Sequence, residues 1–253
     1  MLRIFYILIA LFCAGQVSAD QTVRLTTGEW SPLISHRYEN DGILPLIVRE
    51  AFALQGFDVI YQFQPWAVSY KEARDNKFDG SLGWAPNEQR SHDFYFSDPI
   101  YTSRKVFFHL KSLNFMYNSI DDLKGLRIGV TRTYKFGSEF DNAVKNGLLN
   151  INYVDNNPEN ISNLNKQVID LFPMDLLVGN SLINRYLTVE SGRLITYDPR
   201  IFAEIPISLI FSRKIPDQRA RRLLSAFNIG LAELKASGRY NRMLQLQKVK
   251  AGQ

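Results

Sequence analysis

The chain runs through a strand-like and helix-like alternation twice, and two apolar, extended-looking stretches at 100–110 and 203–213 flank the second series. In "TVRLTTGEW", Val23, Leu25 and Thr27 fall on alternate positions before a break at Gly28, the period of a strand. "DGILPLIVREAFALQG" then sets Leu44, Ile47, Val48, Ala51 and Phe52 on one helical face. Pro45 is tolerated in the first turn, and Gly56 is the stop. "FDVIYQF" alternates again, a short helix is predicted near 67–77, and "GSLGW" reads as another strand. Such a series is what a mostly parallel sheet covered by helices produces.

The second series opens at "SIDDLKGLRIGV", where Ser119 and Asp122 form a candidate capping box ahead of a strand over 126–130. The pattern predicts a helix near 135–146, a strand in "LLNINYV", a helix near 159–169, a strand in "DLLVG" and a helix over 181–188. At the end, Leu224, Phe227, Leu231 and Leu234 recur at helical spacing, Gly238 interrupts, and Tyr240, Met243 and Leu244 supply a second apolar patch. These read as two amphipathic helices packed on a domain. No flexible Ser/Gly linker separates the two series, so any domains are joined by ordered strands. Two crossings would return residues 212–253 to the first unit.

The first residues bear on compartment. "MLRIFYILIALFCAGQVSA" has one basic residue, an apolar run and the small-x-small Val17-Ser18-Ala19, the pattern of a secretory signal peptide cleaved after Ala19. The apolar run is well short of the roughly 20 residues that span a bilayer. The single cysteine, Cys13, would leave with it, which excludes disulfides and thiolate chemistry from the mature chain. What remains suffices for two ordinary domains. The formal net charge is +5, with basic residues interleaved among acids and no Lys/Arg block, so nucleic acid is not an expected partner.

Five segments, in order along the mature chain, carry a resemblance. They are "TTGEWSPLI", "FDGSLGWAPNEQRSHDFYFSDPIYTSRKVFF", "IDDLKGLRIGVTRTYKFG", "IDLFPMDLLVG" and "LLSAFNIGLAELKASGRYNRML". Together the chain resembles the bacterial extracellular solute-binding proteins of the polar amino acid uptake type (family 3). The resemblance implies an α/β, two-lobed periplasmic-binding-protein-like fold of type II, with two crossover strands forming a hinge. Residues 1–19 would be the signal peptide, 20–102 and 212–253 one lobe, and 103–211 the other. It implies a periplasmic protein that holds a small polar or zwitterionic, amino-acid-like ligand for an ABC-type membrane permease, without a cofactor or metal.

The ligand contacts implied by the resemblance map unevenly. The stacking aromatic would be Trp30, and the carboxylate-binding arginine Arg90, whose planar donor fork suits that group. The segment before the arginine falls on Gly83, Trp84 and Ala85, where the usual hydroxyl is missing. Thr133 and Tyr134 match the pair at a helix N-terminus, with Tyr134 bulkier than usual. Asp175 would receive an ammonium group, facing Arg90 across the cleft. Each has a plainer alternative: a core indole for Trp30 or Trp84, a surface residue for Arg90, a strand-start or cap residue for Asp175.

Enzyme motifs are missing. His36, His92 and His109 have no partners at metal-ligand spacing, and no Gly-x-Ser-x-Gly elbow or phosphate-binding glycine loop occurs. Exported relatives of the fold include a dehydratase acting on a cyclic acid and a fusion to a peptidoglycan-cleaving domain. No acid–base pair announces the former, and no fused domain is expected after the closing helices. A ligand sensor of the same fold is the alternative to a transport component.

Overall fold

A computed structural model describes residues 21–132 and 134–251. The expected signal peptide and Thr133 lie outside them. The first series folds as β1 (Thr22–Thr27), α1 (Ile43–Ala53), β2 (Asp58–Phe63), α2 (Trp66–Arg74), β3 (Gly80–Trp84), α3 (Glu88–Asp93) and β4 (Phe94–Phe96). The long strand β5 (Tyr101–Leu110) leads to the second series. This comprises β6 (Arg127–Thr131), α4 (Ser138–Lys145), β7 (Asn150–Val154), α5 (Asn157–Asn165), β8 (Phe172–Asp175), α6 (Leu176–Tyr186), α7 (Val189–Arg193) and β9 (Ile195–Tyr197). A second long strand, β10 (Ala203–Ser212), returns to the closing helices α8 (Asp217–Ala236) and α9 (Arg239–Ala251).

The strands form two lobes that share the crossover pair. In one lobe, β1 pairs in parallel with β2 and β3, and β10 runs antiparallel to β3 and β4 through Ser208–Ser212. In the other, β6 and β7 are parallel, while β8 and β9 run antiparallel to β5. Between them, β10 and β5 pair with each other from Ala203↔Lys105 to Ile207↔Tyr101. Each crossover strand therefore divides its length between ladders. The β10–β3 register slips between Ser208 and Leu209, where β10 passes from one set of partners to the next.

Packing explains the helices. The buried face of α8 (Leu223, Phe227, Leu231, Leu234) meets the α1 face (Leu44, Ile47, Val48, Ala51, Phe52) in a shared core. Phe107 of β5 stacks on Phe202 at 4.1 Å in the centre of the second lobe's own cluster. The predicted capping box is formed: Ser119 and Asp122 cap the short helix Ile120–Leu123 reciprocally.

One expectation is corrected. "DLLVG" is not a strand; the strand is Phe172–Asp175, and Leu176 begins α6, which runs to Tyr186. Asp175 caps that helix, its side chain accepting from the backbone N–H groups of Leu177 and Val178. Short apolar runs do not by themselves distinguish a strand from a buried helix, and here the cap decides.

Candidate functional site

A cavity of about 60 Å³ lies where the lobes meet. At roughly 15 Å³ per water-sized group, it has room for a small solute. The first lobe contributes Trp30, Trp66, Gly83, Trp84, Ala85 and Arg90; the crossover strands contribute Lys105, Ile205 and Ile207; the second lobe contributes Tyr134 and Lys135. Near it, the Ser31 and Ser181 hydroxyls make a hydrogen bond of 3.3 Å between the lobes.

Local chemistry positions each wall. Trp30 opens a tight turn after β1, closed by Trp30 N–H to the Ile34 carbonyl at 2.7 Å, and its ring meets Tyr101 edge-on at 6.2 Å. Trp66, the first residue of α2, donates its indole N–H to the Glu29 carbonyl at 3.2 Å and stands at 88° to Trp84. It occupies space left by two glycines. A Cβ on Gly28 would stand 2.5 Å from the indole, and one on Gly83 would stand 2.8 Å from it, with Gly83 at φ +103°.

Trp84 fulfils both alternatives open to it. It lines the cavity, and it packs with Ala73, Phe94 and Ile210 while its N–H donates to Ser81 Oγ at 2.7 Å. Asn87 caps α3 by accepting the Arg90 N–H at 2.8 Å. The Arg90 guanidinium donates to the Ala85 carbonyl at 2.7 Å and lies 4.9 Å over the Trp84 ring. Burial lowers the pKa of Arg90, yet guanidinium keeps its charge in proteins. Tyr134 accepts from the Asn157 amide at 2.7 Å, and burial raises its phenol well above the ordinary value.

The structure thus brings Trp30, Gly83, Trp84, Ala85, Arg90 and Tyr134 to one cavity. Asp175 is not among its lining residues. Its Oδ1 accepts from Leu177 and Val178, and its Oδ2 accepts from Tyr101 Oη and Ser103 Oγ, both at 2.9 Å. With four donors the carboxylate serves the fold, and of the expected pair only Arg90 lines the cavity.

Sequence reasoning missed Trp66, Lys105, Lys135 and the two isoleucines. Lys105 is the most consequential. It is 2% exposed, and burial pushes its pKa down to about 8, opposed by the Asp175 charge. Strand alternation offered a signal: Arg104 points outward to Glu204, so Lys105 must point inward.

Comparison with known structures gives the fold. A histidine kinase sensor domain with similarity to periplasmic binding proteins superposes with a TM-score of 0.75 at 16% identity, covering 90% of this chain and 96% of that one. An ancestral arginine-binding protein bound to arginine gives 0.73 at 19%, covering 90% and 98%. An amino acid ABC transporter substrate-binding protein from Streptococcus pneumoniae, bound to L-arginine, gives 0.71 at 15%, covering 92% and 96%. No curated protein sequence matches significantly. The family model of the bacterial extracellular solute-binding proteins, family 3, matches residues 25–246, and the chain belongs to that family.

Proposed function

We propose that the protein is a periplasmic binding component that captures a small polar solute of amino-acid type in the interlobe cleft and presents it to an ABC-type permease. In this reading residues 1–19 are removed, residues 20–102 and 212–253 form one lobe, and 103–211 form the other. The observation that carries it is a cavity walled by both lobes and both crossover strands, with Arg90 held against Trp84 on one side and Tyr134 on the other. A guanidinium in such a place suits a carboxylate. Relatives of the same fold hold arginine, glutamine or glutamate, which supports a solute of that size.

Calorimetry of the purified mature protein against amino acids, small carboxylates and amines tests the reading. Saturable binding should weaken by roughly 2–5 kcal/mol in Arg90→Ala, part of that being the charge left unpaired on the solute. Failure of every class to bind would end it. The likeness to a kinase sensor domain favours a sensor as second reading. Loss of solute uptake on deletion of the gene supports transport, and intact uptake with lost signalling supports the sensor.

A further inference from the structure

We propose that the cleft selects a small carboxylate-bearing anion that lacks an ammonium group, and that Lys105 on β5 is its anion anchor. This rests on the solute-binding reading above, keeping its interlobe site and its carboxylate and replacing the amino-acid-type solute with one that has no ammonium group.

The first observation is an ammonium without an acceptor. Lys105 lines the cavity, and among the described residues it has no hydrogen-bond or ion-pair partner. What surrounds it is aromatic: the rings of Trp30, Tyr134 and Phe136 lie 5.7, 5.2 and 5.8 Å from Nζ. Ring faces attract a cation, but they accept none of its three N–H bonds in the way an oxygen does. Its cross-strand neighbour, Asp175, is committed to its four other donors. A buried charge in this state is costly unless something pairs with it.

A second, independent observation points the same way. The indole N–H of Trp30 is also buried, with no acceptor among the described residues, and Trp30 lines the same cavity. Two donors therefore call for an acceptor from a bound molecule. Arg90 and Lys135 add positive charge to the lining, which among the described residues contains no aspartate or glutamate. A solute ammonium group entering here would meet like charge, and the nearby carboxylate, Asp175, lies outside the lining with its oxygens taken by four donors. Trp66, Ile205 and Ile207 offer the remainder of the solute flat or apolar contact.

The test is calorimetry of the purified protein with two arms. One contains acetate, pyruvate, succinate and benzoate; the other contains glycine, glutamine, arginine and putrescine. The expected result is saturable binding in the first arm only. Affinity should fall at least tenfold in Lys105→Met and recover in part in Lys105→Arg. Thermal melting without solute checks that each variant is folded, and Lys105→Met should melt no lower than the wild type. Tightest binding by an ammonium-bearing solute, or a carboxylate whose affinity survives Lys105→Met, overturns the inference and leaves the solute-binding reading standing. Binding by neither arm removes both.

Discussion

Asp79 and Asp170 do the same job in the two lobes. Asp79 accepts the Arg24 N–H at 2.8 Å and pairs with the Arg219 guanidinium at 2.7 and 3.0 Å. Asp170 accepts the Arg127 N–H at 2.8 Å and pairs with the Arg127 side chain at 2.7 and 3.0 Å. Each aspartate precedes a strand or bridge residue and ties it to the lobe's opening strand.

Only the first of these carboxylates ties in a closing helix, since Arg219 lies on α8 and also donates to the Thr22 carbonyl at 2.8 Å. Arg219→Ala should cost roughly 1.5–3 kcal/mol in urea unfolding, because it strands bonds to a largely buried carboxylate. Arg104→Ala removes an exposed pair with Glu204 and should change stability by less than about 1 kcal/mol. Equal effects would deny the clamp.

Asp175→Ala should destabilise the protein by at least about 1 kcal/mol, the usual cost of losing a helix cap, before the stranded Tyr101 and Ser103 hydroxyls are considered. Asp175→Asn keeps an acceptor for the cap and should recover much of that stability. If both variants melt like wild type, the carboxylate is not a structural group.

Lys105 makes a pH prediction with a definite sign. Its pKa is about 8 in the folded chain against 10.5 as the ordinary value. Between these values the unfolded state binds the proton that the folded state has lost, so this group's contribution to stability rises with pH. The penalty is full below about pH 8. Asp175 is the opposing charge, Tyr101 and Tyr134 flank the site with raised pKa values, and Arg90 and Lys135 share the cavity. Without solute, Lys105→Met should be more stable than wild type near pH 7, with the difference closing toward pH 10.5. A difference that stays constant with pH would remove the buried charge from the account.

Gly83→Ala forces a methyl against the Trp66 indole at a φ that side chains rarely adopt. It should cost about 1–3 kcal/mol and shift tryptophan emission, because the 88° contact of Trp66 with Trp84 cannot persist. Gly56→Ala, at φ +76° but with open space around it, separates backbone strain from crowding. An equal cost at both positions would mean Trp66 is not held by the gap.

The strand–helix series and the Ser119 capping box were legible because local periodicity and capping chemistry dictate them, whereas the two crossings followed from the family resemblance, since apolar extended runs do not by themselves say where a chain passes between lobes. The beginning of α6 was not: Leu176, Leu177 and Val178 suit a strand as well as a buried helix turn, and only the donors around Asp175 decide. Lys105 was hidden by Arg104, since adjacent cations read as solvated surface until the pleat sends them to opposite faces. Trp66 reaches the cavity through room left by Gly28 and Gly83, tens of residues apart from one another in sequence. That is a tertiary fact without a local signature.

Lys105, Ile205 and Ile207 stand on the same paired strands that carry the chain between lobes. Any rotation of one lobe against the other must be absorbed as torsion in those strands, and torsion there re-aims the side chains they bear. Part of the cavity wall is thus built into the axle and the rest into the halves that turn on it, so a molecule seated there would feel the angle at which the two halves stand.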